Sequence, residues 1–134
     1  MHASCQCGAL STTITGDTPP MTVLCHCRDC QKRSGSPFGV TAYFPESAVT
    51  LAGDAREFTR ATDVGNHFTT GFCPVCGSTV YARASKYPEI IGITAGTITD
   101  PAFPAPARSV YEQSRHHWVT LPDTIPRHPQ GRDS

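Results

Sequence analysis

The chain has 134 residues, eleven basic and eleven acidic side chains and a formal charge of zero, which leaves no electrostatic footprint for nucleic acid. No apolar run reaches the length that spans a bilayer, and the length suits one domain, 1–134, with a modest core. Twelve prolines and eleven glycines against few charges favour short strands and turns over long helices.

In chain order, Leu10, Thr12 and Ile14 alternate with Ser11, Thr13 and Thr15, predicting a strand that closes at Gly16-Asp17-Thr18-Pro19-Pro20. Val23, Cys25 and Cys27 share one face of the next strand, and Arg28 to Ser34 reads as a short helix stopped by Gly35. Strands follow at Gly39 to Phe44 and at Val49 to Leu51, the latter ending at Gly53. Arg56 to Arg60 and Asn66 to Phe72 form a pair, and Thr79 to Arg83 is the next partner. Ile90 to Ile98 is the most apolar run and reads as a central strand, its Gly92 and Gly96 marking a close approach by another backbone or by the helix. Val110 to Gln113 and Trp118 to Leu121 give two late strands, with Trp118 expected in the core. Residues 122–134 have little to bury and read as a loosely held tail. The expected fold is all-β, with one short helix at the second cysteine cluster.

The seven cysteines fall in three clusters: Cys5-Gln6-Cys7-Gly8, Cys25-His26-Cys27-Arg28-Asp29-Cys30 and Cys73-Pro74-Val75-Cys76-Gly77. Tetrahedral zinc takes four ligands, and adding the triple to either pair gives one sulfur too many. The two pairs make a complete quartet, Cys5, Cys7, Cys73 and Cys76, while Cys25, Cys27 and Cys30 form a set one ligand short. A filled set is a structural staple, whereas a set with an open position can do chemistry. Side chains at i and i+2 of an extended segment share a face, so each CxC pair can present two sulfurs roughly 3.8 Å apart, as bonds of about 2.3 Å require. Disulfides would suit the cysteine density, but the count is odd and CxC pairs are poorly placed to bridge each other. The N-terminus lacks an apolar stretch for a signal peptide, so a reducing cytoplasm is expected. A redox pair at Cys73 and Cys76 would want a βαβ setting, and an iron–sulfur cluster on four cysteines stays open as the alternative metal group.

His26 sits between two cysteines and points away from them on strand alternation, as a packing histidine or as a group supporting the site. His67, His116 and His117 are candidates to complete the three-cysteine set, and His2 and His128 lie near the termini. Arg28, Lys32 and Arg33 flank the triple cluster and could steer a thiol that carries carboxylates.

The order CxCG, CHCxxCxxxxG and FCxxCG resembles the glutathione-dependent formaldehyde-activating enzyme family, which includes the centromere protein V type proteins. Ser34-Gly35-Ser36, Phe72, Gly96-Thr97-Ile98-Thr99-Asp100 and Ser114-Arg115-His116-His117-Trp118 extend the likeness, which runs from Cys5 to about Pro122. The resemblance implies several coiled antiparallel sheets, stapled by zinc and shared with a small zinc-containing chaperone of guanine-nucleotide-binding proteins. It implies a structural zinc on Cys5, Cys7, Cys73 and Cys76 and a catalytic zinc on Cys25, Cys27 and Cys30. The implied activity is a carbon–sulfur lyase reaction, glutathione plus formaldehyde in equilibrium with S-hydroxymethylglutathione, so the expected partner is a small-molecule thiol or its carbonyl adduct. The competing functions are a non-enzymatic zinc-supported protein-binding module and a thiol redox sensor.

Overall fold

The computed structural model describes residues 1–17 and 19–134. Thr18, in the turn expected after the first predicted strand, lies outside the described residues. The described chain folds as ten strands and one α-helix: β1 (His2–Ser4), β2 (Ser11–Ile14), β3 (Met21–Cys25), α1 (Arg28–Ser34), β4 (Gly39–Pro45), β5 (Val49–Ala52), β6 (Arg56–Ala61), β7 (His67–Phe72), β8 (Thr79–Ala84), β9 (Ile90–Thr94) and β10 (Arg108–Val110). They make two sheets, β1-β2-β5 and β10-β3-β4-β9-β8-β7-β6.

The larger sheet departs from the expected antiparallel order at one edge, where β10 runs parallel to β3. A parallel neighbour needs a long connection, and the proline-bearing stretch between β9 and β10 supplies it, docking through the Ala107 N–H on the Thr22 carbonyl at 2.8 Å.

Alternation along the strands divides the large sheet into two faces. One carries Ala42, Phe44, Ile91, Ile93 and Tyr81, which pack with Leu10 and Ile14 from the small sheet into the core. Ile91 and Ile93 are fully buried, each worth roughly 1.5–3 kcal/mol of transfer free energy. The other face carries Met21, Val23 and Cys25 of β3, with Tyr43 opposite Met21 and Gly92 opposite Tyr43.

The long apolar run is a strand only to Thr94. A single 3-10 turn follows over Ala95–Thr97, with the Thr97 hydroxyl donating to the Thr94 carbonyl at 2.7 Å. Its glycines do not mark a close backbone: a Cβ on Gly92 would strike the side chains of Thr41 and Tyr43, and one on Gly96 would meet nothing within 4 Å.

Neither late strand forms as expected. Only Val110 of the Val110 to Gln113 stretch is in a strand; Tyr111 turns out at φ 55°, and a 3-10 turn covers Glu112–Ser114. The strand position beside β10 is taken instead by the C-terminal residues, which were expected to be loosely held. Ser109 pairs with Arg127, its N–H meets the Pro126 carbonyl at 2.9 Å, and Tyr111 N–H meets Gln130 at 2.8 Å. Ile125, buried to 6%, anchors this segment. It covers a sheet edge whose backbone groups would otherwise be open. Trp118 lies outside the core, 61% exposed in a turn and stacked on His116.

Candidate functional site

Two sulfur clusters form, with the membership the coordination arithmetic expected. Cys5 and Cys7 follow β1, while Cys73 and Cys76 lie in the β7–β8 turn, so the quartet joins the small sheet to the large one. Cys7 Sγ lies 3.7 Å from both Cys5 Sγ and Cys73 Sγ. That is far beyond a disulfide bond of about 2.05 Å and close to the roughly 3.8 Å edge of a tetrahedral zinc–thiolate site. Backbone N–H groups of Leu10 and Val75 donate to Cys5 and Cys73, at 3.3 and 3.4 Å. Gly77, at φ 79°, closes the turn by donating its N–H to the Cys73 carbonyl at 2.8 Å, a conformation a side chain would strain. The Ser78 hydroxyl, with the Ser78 N–H behind it, holds the Cys76 thiol down to about 5. Donors aimed at sulfur favour thiolates, the form that binds metal.

The second cluster is built locally. Cys25 ends β3, and Cys27 does not continue the strand as expected: it is the N-cap of α1, its sulfur accepting the Cys30 N–H at 3.4 Å. The helix stops where the sequence predicts, Gly35 adopting φ 67° and returning its N–H to the Gln31 carbonyl at 2.9 Å. Hydrogen bonds from Cys25 and then Cys30 pull the Cys27 thiol down to about 2, while the same sharing, followed by burial, drives Cys25 up. Three sulfurs so close cannot each keep an ordinary proton. The donor set fits a thiophilic cation. Among the described residues no histidine nitrogen or carboxylate oxygen joins these sulfurs within 4.8 Å. His67 is exposed at the start of β7, His116 Nε2 bonds Gln31 Oε1 at 3.3 Å, and His117 is exposed.

His26 is fully buried. Its Nε2 lies 2.9 Å from both Ser109 Oγ and Glu112 Oε2, and the Ser109 hydroxyl donates to the same carboxylate at 2.5 Å. Arg115 and Arg127 approach the other Glu112 oxygen at 3.3 and 3.6 Å. Burial holds the His26 imidazole below its ordinary value, with Glu112 opposing and Arg115 assisting. Gln31 completes the support, donating from Nε2 to the His26 carbonyl at 2.7 Å. Glu112 escaped sequence reasoning because nothing local ties it to a histidine 86 positions earlier.

The sequence matches the model of the glutathione-dependent formaldehyde-activating enzyme family over residues 1–114. The chain belongs to that family. No curated protein matches the chain significantly. A solved Rhodobacter sphaeroides protein, 20% identical, superposes with a TM-score of 0.57 over 75% of this chain and 92% of that one, which shows a shared fold.

Around the three sulfurs of this family member, the large sheet coils until its edges meet. The Tyr111 hydroxyl, just past β10, donates to Asp63 beyond β6 at 2.7 Å, and Arg60 of β6 reaches Asp29 of α1 at 3.5 Å. Beside Cys30 the coil borders a half-open cavity of about 510 Å³, lined by Asp29, Lys32, Arg33, Arg60, Phe68 and Phe72. Two of the three cations expected from sequence line it, Arg28 instead reaching Gln31 Oε1 at 3.4 Å. Arg60 was missed and takes its place, its guanidinium 5.0 Å over the Phe68 ring. No helix among the described residues is long and apolar enough to cross a membrane.

Proposed function

We propose that this protein is a zinc-dependent carbon–sulfur lyase acting on a glutathione-type thiol and a small carbonyl adduct such as S-hydroxymethylglutathione. Cys5, Cys7, Cys73 and Cys76 would hold a structural zinc, and Cys25, Cys27 and Cys30 a catalytic one. The observation that carries the reading is the second sulfur set. It offers three sulfurs without a fourth donor among the described residues, and it borders a cavity lined with cations and aromatic rings.

When bound, the catalytic ion supplies a fixed point for a deprotonated substrate thiol. In the synthetic direction a carbon–sulfur bond forms, the carbonyl π pair becomes the oxygen lone pair, and the thiol proton ends on that oxygen. The reverse direction restores free thiol and carbonyl with no oxidant or reductant. Lys32, Arg33 and Arg60 pair with the carboxylates of the thiol and orient it. Phe68 and Phe72 keep water from that wall, which strengthens those pairings. Free substrate thiols call for a reducing, cytoplasmic setting.

The test combines metal analysis with turnover of glutathione and formaldehyde. Two zincs per chain, with thiol-dependent turnover lost in Cys27→Ser, support the enzyme. Two zincs without turnover favour a binding module instead.

A further inference from the structure

A second cavity, of about 440 Å³, lies on the same sheet face as Cys25 and shares no lining residue with the first. Its floor is β3, β4 and β9: Met21 and Val23 stand four and two residues before Cys25 on one face, with Tyr43 opposite Met21 and Ile90 at the start of β9. Its near wall is Val110, whose register partner is Cys25 itself. None of the three sulfurs lines this cavity, and Val110 stands between it and Cys25, whereas Cys30 lines the other cavity directly. Gly92 leaves room for the floor to take its shape, since a Cβ there would stand 3.0 Å from the Tyr43 ring. Tyr111, held at φ 55° and bonded to Asp63, closes the rim between the two sheet edges. Its strained backbone is retained at the chamber's rim.

Lys86, Arg108 and Arg132 also line this chamber, but Lys86 pairs with Asp133 at 3.8 Å and Arg108 meets His128 at 3.4 Å. A thiol with carboxylates therefore fits the side of Lys32, Arg33 and Arg60, which leaves the aldehyde side of the adduct to face this chamber's apolar floor. Formaldehyde brings one carbon and would touch almost none of it. A space of this size is in the range that encloses a small organic ligand. From the apolar floor, and from Val110 as the side chain shared between the chamber wall and the register partner of Cys25, we infer that the carbonyl partner is an aldehyde bearing an apolar chain of about five to seven carbons, its hydrocarbon seated between Val23, Tyr43, Ile90 and Val110. The inference rests on the lyase reading and narrows its substrate class. The chemistry balances as before: R′SH adds to RCHO, the carbon–sulfur bond forms and the proton passes to the former carbonyl oxygen.

Binding is separable from turnover with thioethers, which cannot expel a carbonyl. S-hexylglutathione and S-methylglutathione are titrated calorimetrically into the full-length, zinc-loaded protein. The hexyl compound should bind at least about tenfold more tightly, since each methylene in an apolar pocket is worth a substantial factor. Ile90→Trp fills the chamber from its floor and should cut that preference to below about threefold, with Met21→Trp as the second variant should the first fail to melt cooperatively. Equal affinities, no binding by either thioether, or a hexyl preference that survives the filling variant each overturn the assignment. The lyase reading is judged apart, by turnover of glutathione with formaldehyde and with hexanal. Turnover of the formaldehyde pair alone, with no hexyl preference, sinks the chamber and leaves the lyase standing. A hexyl preference without any turnover does the reverse.

Discussion

The two sulfur clusters use the same side chain in opposite ways. The quartet gathers its donors from segments more than sixty positions apart and ties the small sheet to the β7–β8 turn of the large one. The trio takes all its donors from six consecutive residues at a strand–helix junction, positioned by an N-cap and a buried polar network. Closing a long loop removes much of the freedom of the unfolded chain, so the quartet bears on whether the fold exists. The trio closes almost no loop and bears on what the fold can do.

The largest expected effect tests that division directly. Cys73→Ser takes a fully buried donor from the quartet, and since metal binding of about 10–16 kcal/mol is also folding energy, the variant should lose its cooperative thermal transition. Cys27→Ser should keep a melt within a few degrees of wild type, lose one zinc and lose turnover. Equal damage to both melts would erase the distinction.

A middle-sized effect sharpens the support beneath the trio. Glu112→Ala leaves Arg115, Arg127 and His26 facing a hole where the carboxylate stood, with only 14% of that side chain exposed. Breaking a largely buried ion pair on one side costs about 3 kcal/mol. Glu112→Gln keeps hydrogen-bonding capacity and should cost about half as much. Urea denaturation gives both values. Metal content at the quartet should not change, because the network touches only the trio's side of the molecule. At the cavity wall, Arg60→Ala should raise KM for a carboxylate-bearing thiol roughly fivefold while changing kcat little, the signature of lost ground-state binding.

How much was legible follows from the range of the interactions. The trio, the helix from Arg28 to Ser34 and its stop at Gly35 could be read because capping and turn chemistry act within a few residues. The grouping of the quartet could be read because coordination number is a rule about counts. Arg60 could not, since it reaches the trio's neighbourhood only after seven strands coil edge to edge. Residues 122–134 were misread for a related reason. A single Ile125 and a row of backbone bonds to β10 suffice to hold them, and backbone bonds leave no mark in composition. Trp118 misled because a large aromatic side chain is ordinarily buried, and here it stacks on His116 at the surface instead.

The smallest effect concerns the core face, on the quartet's side of the comparison. Tyr81 crosses over Gly71, where a Cβ would collide with its ring, and its hydroxyl donates to Glu57 Oε2 at 2.7 Å. Burial, then the bond to Glu57, pushes the phenol up from its ordinary 10 to about 12. In the unfolded chain the phenol ionises near 10, so between 10 and 12 the unfolded state loses a proton that the folded state still holds. Stability from this group is complete below pH 10 and is lost as pH rises toward 12. Tyr81→Phe cannot titrate, so its stability should fall less steeply across that window, although it sits lower at neutral pH for want of the Glu57 bond, by about 1 kcal/mol. Urea midpoints of the two proteins at pH 8, 10 and 11 check the sign. Parallel decline would show that the alkaline loss belongs to other groups, and that the polar crossing at Tyr81 serves packing alone.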